Sequence, residues 1–472
     1  MNGKTLQLQD HQDIIESRIE SAVQLARKSE QEIILSHTFR IDASDLLPIL
    51  THPADKHSTR IYLEKPSSGF SMAGMGCTLA IDLKNSIDDF NNELADIKNR
   101  MVYEKGKNCP TPSFLGGYSF NPTAKPDKTW ENFPRGRIIL PECLATKNDD
   151  GTWLTISTIV KKEDNPKQIL KRFVNLCIHY ENRMPVTLPP ITSVPVDKFK
   201  DVPDPNTYSD TINLILEKLK PGHIEKVVLS RSHHVKIGKS FSAVSGMQVL
   251  RNAYPKCMSF FFSFPNEGIF FGSTPERLIR LNDKEFETEA LAGTISRGKN
   301  MEEDRLLAEK LRGSHKECEE HRFVLEQILR KLKPITERLD FADYPEILKL
   351  KNVQHLKTQI HGKLISNQHI LEIVDQLHPT PAVAGTPTQD AMEIIQELEH
   401  HDRGWYSGPI GWADINGKGE FFVGLRSALV SNNEAHVFAG GGIVSESIAE
   451  QEWDETELKI QPIITALSGG QI

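Results

Sequence analysis

The chain has 472 residues, with 56 basic against 64 acidic side chains and a formal net charge of −8. That balance gives no electrostatic case for nucleic acid or an anionic membrane as partner. No apolar run reaches the roughly 20 residues of a membrane-spanning helix. With 38% hydrophobic and 25% charged residues, the composition is that of a folded protein, neither disordered nor fibrous.

The N-terminus, MNGKTLQLQDHQDIIESRIESAVQ, carries acidic residues and no apolar core, so it does not read as a secretory signal. A helix is expected over Ile14–Lys28, where Ile14, Ile15, Ile19, Val23 and Leu25 fall near helical spacing. Strands are expected at Ile33–Ile41 and Arg60–Lys65, with a turn at Lys65-Pro66-Ser67-Ser68-Gly69, and again at Arg137–Pro141 and Trp153–Val160. Residues Thr187 to Asn206 hold Pro189, Pro190, Pro195, Pro203 and Pro205 and make the best linker candidate. A helix follows over Tyr208–Leu219, ended by Pro221-Gly222. Beyond it many strands lack an intervening helix, which points to an α+β architecture with large antiparallel sheets. Six cysteines (Cys77, Cys109, Cys143, Cys177, Cys257, Cys318) form no C-x-x-C pair. They read as reduced thiols of a cytoplasmic protein, not as a zinc or dithiol site.

The second half holds the unusual local sequence. Lys226 opens the apolar run Val227-Val228-Leu229. It is either a surface charge at a strand end or a lysine in a cleft, where burial lowers its pKa and frees a lone pair. Glu276 follows a strand and a turn in Phe271–Leu278. It reads as a plain turn charge or, in a closed site, as a general acid with a raised pKa. Ala290–Gly298 is rich in small residues and reads as a loop that lets backbone approach a ligand. Ser314 and Glu317 have capping-box spacing at the start of a long helix, and Glu320 stands one turn beyond Glu317. Glu452 and Glu455 repeat that spacing. Two such pairs brought together would make an oxygen-rich site suited to Mg²⁺. Gly440-Gly441-Gly442 suggests backbone wrapped round an anion, with Arg426 and Lys459 as nearby cations.

Taken in order, KVVLSR, FGSTPERL, EALAGTISRG, SHKECEEH, HPTPAVAGTP and GGGIVSES with EWDETELK resemble the chorismate-utilising enzymes, and among them the isochorismate synthases. The likeness runs from about Tyr208 to Pro462; Leu115-Gly116-Gly117-Tyr118-Ser119-Phe120 is similar to the family's first half more loosely. The resemblance implies one catalytic unit over residues 1–472, with a looser half at 1–200, a motif-bearing half at 208–465, and two large antiparallel sheets packed together with helices outside. The proline-rich stretch is then a connection inside that unit.

The resemblance also implies roles. Glu320 and Glu455 match direct ligands of Mg²⁺, with Glu317 and Glu452 as their partners. Lys226 matches the base that activates water for attack at C2 of chorismate, and Glu276 the acid that protonates the departing C4 hydroxyl. Tyr406, Arg426, Lys459 and Gly440, Gly441 and Gly442 match the pocket for the side-chain carboxylate. Thr294 and His355 match ring-proximal positions, and Ala382 and Gly385 are counted with the substrate-binding segment Pro379–Pro387. Ala292 stands where aminodeoxychorismate synthases carry lysine, and no Leu-Leu-Glu-Ser string marks an anthranilate synthase. Ala382 stands where salicylate synthases carry threonine, which favours a reaction that stops at isochorismate. The length of the first half favours the menaquinone over the siderophore type. The competing readings are a siderophore-pathway isochorismate synthase, a salicylate synthase and a catalytically silent regulatory subunit. The expected partner is chorismate, the expected state a monomer or weak dimer.

Overall fold

The structure is a computed structural model and describes residues 8–51, 58–84, 86–104, 109–181, 187–238 and 241–470. The first helix, Leu8–Ser29, is longer than the periodicity suggests. It buries Ile15, Ile19, Ala22, Val23 and Ala26 along one face. The N-terminal stretch read as lacking a signal begins in residues 1–7, outside the described residues.

The strands assemble into two sheets. The larger has thirteen strands; its ordered path runs from Val196–Val202 through Lys226–Ile237, Glu434–Ile443, Ser427–Ser431, Gly268–Thr274 and Met258–Phe264, then through first-half strands to Met101–Val102. The smaller has ten, with Val353–Leu364, Glu285–Ser296, Arg277–Asn282, Gly419–Val423 and Pro409–Asp414 leading to first-half strands Ser113–Tyr118, Gly136–Leu140 and Leu79–Asp82. Pairing is antiparallel throughout both sheets except between Ile33–Ile41 and Met101–Val102.

Three apolar layers hold this arrangement. An aromatic layer lies between the sheets: Phe260, Phe262 and Phe270 of one meet Leu115, Ile410 and Phe422 of the other, with Trp130 and Trp405 wedged among them. Helices cover the outer faces. Ile15, Val23 and Phe173 pack on the larger sheet, and Val324, Ile328 and Leu371 pack on the smaller. Burial of this apolar area is the main driving force for the arrangement.

The proline-rich stretch divides nothing. Val196–Val202 pairs with Lys226–Ile237 as an edge strand, and the prolines stay outside it, Pro195 just before and Pro203 just after. Pro205 then starts the helix Pro205–Leu219, three residues before the expected Tyr208. Asp204 caps it by accepting from the N–H groups of Asn206 and Thr207, at 3.0 and 3.3 Å. Gly222 sits just past its end at φ 82°.

Candidate active site

Twice, close together, the chain leaves one sheet for the other. Gly268–Thr274 continues into Arg277–Asn282, and Gly419–Val423 into Ser427–Ser431. The two crossings are tied by backbone hydrogen bonds, Ser273 N–H to Arg426 O and Val423 N–H to Glu276 O, both 3.1 Å. They deliver Glu276 and Arg426 to one pocket, together with Thr294, Glu320, His355, Ala382, Tyr406, Gly440, Gly442, Glu455 and Lys459.

Lys226 is buried beneath this pocket at 1% exposure, and its Nζ donates to Glu320 Oε1 at 2.7 Å. The glycine triplet explains how it fits. Gly440-Gly441-Gly442 does not wrap an anion; it is extended backbone inside Glu434–Ile443, paired with Ser230, Leu229 and Val228. A Cβ on Gly442 would stand 2.5 Å from Lys226 Cε and 3.1 Å from Glu320 Oε1. On Gly440 it would crowd the Tyr406 hydroxyl, and on Gly441 the Glu452 carboxylate. The missing side chains make room for the charged ones. Gly441 and Gly385 do not line the pocket. Gly385, at φ 141°, lies against the backbone carbonyl of Lys226, where a Cβ would be 2.1 Å from the oxygen.

The small-residue segment Ala290–Gly298 is not a loop either. Its first part belongs to the strand Glu285–Ser296, interrupted by a bulge: Ala292 pairs with Leu356 and Thr294 with His355, leaving Gly293 over, at φ 75°. The bulge turns the Thr294 N–H onto Glu317 Oε2, at 2.7 Å. Glu317 is therefore not the second arm of a capping box. Ser314 caps the helix His315–Leu332, but the Glu317 side chain reaches across to the strand. Burial, then the Glu320 charge, pushes the Glu317 carboxyl up to about 7. Glu320 goes the other way: burial acts upward, and Lys226, Lys459 and Lys316 together outweigh it.

Helix Ala449–Leu467 supplies the other pair. Glu452 accepts from Ser447 Oγ at 2.7 Å, and burial followed by Glu455 raises its pKa. Lys459 lies 2.6 Å from Glu455 and donates to Gly440 O at 2.9 Å. The four glutamates interact electrostatically but do not converge on one point. Among the described residues, the three potential metal ligands with atoms within 4.8 Å of one another are Asp201, His233 and Glu457. That group already holds a cation, the fully buried Arg231, hydrogen-bonded to Asp201 and Glu457.

Arg426 sits at φ 47°, a conformation rarely adopted by a bulky side chain, and its Nη2 lies 3.0 Å from His355 Nε2. A guanidinium only donates, so Nε2 is the acceptor and Nδ1 carries the hydrogen, facing Thr294 Oγ1 at 3.1 Å and Gly293 O at 3.3 Å. Burial and the Arg426 charge hold the His355 pKa well below its usual range, so the ring is neutral. Tyr406 stacks on Phe438 at 5.4 Å. Glu276, 6% exposed, is pushed up to about 8 by burial and then by the charge of Glu289.

Sequence reasoning passed over Glu289, which lies buried with Lys357 Nζ at 2.7 Å. Its signal was the alternation Glu285, Glu287, Glu289, three carboxylates on one face of a strand.

A family model described as chorismate binding enzyme matches residues 19–468. The chain belongs to that family. It is 28% identical over 467 residues to isochorismate synthase MenF of Bacillus subtilis, covering 95% of this chain and 96% of the relative. It is 29% identical over 451 residues to the salicylate biosynthesis isochorismate synthase of Pseudomonas aeruginosa, covering 95% and 93%. The solved structure of MenF, the menaquinone-specific isochorismate synthase of Escherichia coli, superposes with a TM-score of 0.75 at 26% identity, covering 95% of this chain and 100% of that one. The family's mixed α+β fold, with two large sheets and outer helices, is the fold described above.

Proposed function

We propose that this chain is an isochorismate synthase acting on the menaquinone branch. The observation that carries the reading is a protonatable carboxyl, Glu276, pushed up to about 8 at a pocket that also presents Arg426 and Lys459. Relatives named MenF along nearly the whole chain support the choice of reaction and branch.

The chemistry follows from the poor leaving ability of hydroxide and the poor nucleophilicity of water. Water adds its oxygen at C2 while the ring double bonds shift and the C4–O bond breaks. Lys226, once it has given up its own proton, uses the freed lone pair to take the proton of the attacking water, and Glu276 gives one to the departing hydroxyl. One water enters and one leaves, so the reaction is an isomerisation. Arg426 and Lys459 hold the side-chain carboxylate, aided by Tyr406. The neutral His355, fixed by Arg426 and Thr294, orients the ring without adding charge.

Glu317, Glu320, Glu452 and Glu455 are the residues that would hold Mg²⁺. An all-oxygen donor set suits this hard cation, and the raised pKa values of Glu317 and Glu452 mark a cluster short of positive charge. Bound there, Mg²⁺ supplies that charge and a partner for the substrate's ring carboxylate. We assign the protein to the cytoplasm as one catalytic unit, a monomer or weak dimer. None of the six cysteines forms a disulfide among the described residues, and no helix among them is long and apolar enough to cross a membrane.

The test is an end-point assay of purified protein with chorismate and Mg²⁺, with and without ammonium, products separated by chromatography. Isochorismate alone, indifferent to ammonium, is the expected result. Salicylate with pyruvate would show that Ala382 misleads. Products only with ammonium would exclude water as nucleophile, and no product at all would favour the silent subunit.

A further inference from the structure

Glu276 forms no salt bridge among the described residues. Of the charged groups acting on it, the strongest is an anion. Glu289, 6% exposed, has its Oε1 held by the N–H of Arg277, the residue next to Glu276, at 3.0 Å. Its other oxygen meets Lys357 Nζ at 2.7 Å. Toward solvent the same strand face continues to Glu287, paired with Arg277 at 2.9 Å, and Glu420 pairs with the same guanidinium at 2.7 Å. Placing a carboxylate beside a second buried carboxyl is costly unless the second keeps its proton.

We propose that Glu289 is a positioning residue that keeps Glu276 protonated and so sets the alkaline edge of activity. The inference rests on the reading of Glu276 as the acid. Four neighbours act on the Glu276 carboxyl from the elements packed round it. Glu289, from Glu285–Ser296, favours the neutral form. Lys226 from its strand, Thr380 from the loop before Ala382 and Lys459 from the C-terminal helix favour the charged form. Burial and Glu289 prevail. Glu276 then enters each turnover as an acid at neutral pH, with no help from a bound cation. Lys357 is a counterweight that limits how far Glu289 reaches.

The sign is fixed by the chemistry. Glu276 works while protonated, so kcat/KM falls as pH rises through its pKa. Removing the neighbouring negative charge lowers that pKa. The variant Glu289→Gln keeps an acceptor for the Arg277 N–H and removes only the charge. Its alkaline limb in kcat/KM for chorismate should move down by about one pH unit. Lys357→Met, which frees Glu289 of its counterweight, should move the limb up, and provides the reading if Glu289→Gln fails to fold. A merely structural role would lower melting temperature or rate without moving either limb. Glu276→Gln separates the two layers of the argument. If it abolishes turnover while Glu289→Gln and Lys357→Met leave the limb in place, the inference is overturned and the acid assignment stands. If Glu276→Gln turns over with the wild-type pH profile, the acid assignment fails and takes the inference with it.

Discussion

Gly442 shows how little space separates the groups of this site. A methyl there meets Lys226 Cε at 2.5 Å, and the strand pairing on Val228 prevents the backbone from yielding. Gly442→Ala should therefore displace the lysine. A displacement of about 1 Å costs on the order of 100-fold in rate. The measurement is kcat/KM for chorismate beside a melting curve. A fall in the first with a shift of only a few degrees in the second is the expected outcome, and unchanged kcat/KM would mean that the lysine position does not matter. At this scale the sequence was readable in residue types and less so in their reasons. Lys226 stood out as a charge opening an apolar run, Glu276 as a carboxyl after a strand and turn, and Arg426 and Lys459 as cations near the glycine triplet. The triplet glycines stood out for the wrong reason, because a strand with its side chains deleted and a loop round an anion look alike in one dimension.

Helix Ala449–Leu467 carries Glu452, Glu455 and Lys459 and must be held in rotation as well as place. Arg231, on the Lys226 strand, does this. It donates to Thr456 Oγ1 at 2.7 Å, reaches Glu457, and lies 3.7 Å over the Trp453 ring. Asp201 Oδ1 receives the same guanidinium at 3.0 Å and faces His233 Nδ1 at 2.8 Å. Arg231→Met should cost about 2 kcal/mol in stability, because it removes the buried guanidinium's hydrogen bonds to Thr456, Asp201 and Glu457 and leaves Lys198 beside the two half-buried carboxylates. Urea denaturation reads the loss; a variant as stable as the parent would show the cluster to be dispensable. Spacing alone made the carboxylate pairs visible, but not this anchor. The strand KVVLSR announces an apolar run, and nothing in it says that its arginine points inward to a helix some 220 residues away. Ser314 illustrates the reverse case: the cap was legible, while the destination of Glu317 depended on a bulge in a distant strand.

In both sheets the strands from before and after the proline-rich stretch form two contiguous blocks, joined where Arg60–Lys65 pairs with Met258–Phe264 and where Ser113–Tyr118 pairs with Pro409–Asp414. The aromatic layer between the sheets draws on both halves. Split apart, each half would expose its share of that layer and an unpaired strand edge in each sheet. Calorimetry should show one transition, with calorimetric and van't Hoff enthalpies equal. Residues 191–472 produced alone should lack the near-ultraviolet circular dichroism of the whole chain. Two separable transitions would contradict this. The absence of helices between many strands was enough to foresee large antiparallel sheets. The crossings that bring Glu276 and Arg426 together were hidden, because a strand that changes sheets reads the same as one that stays.

The leftover residue at Gly293 carries a consequence for mutagenesis. The contact it creates is between a carboxylate and main chain, so it belongs to the length of the segment and not to its lettering. Proline at 294 aside, and Gly293 itself, where a Cβ would stand 3.1 Å from the Glu317 carbonyl oxygen at a left-handed φ, a substitution scan across 290–298 is blind to it. Deleting Gly293 would keep Thr294 opposite His355 and restore a plain ladder, yet would take from the Glu317 carboxylate the backbone N–H it accepts from. Insertions and deletions, usually treated as damage, are at this position the finer instrument.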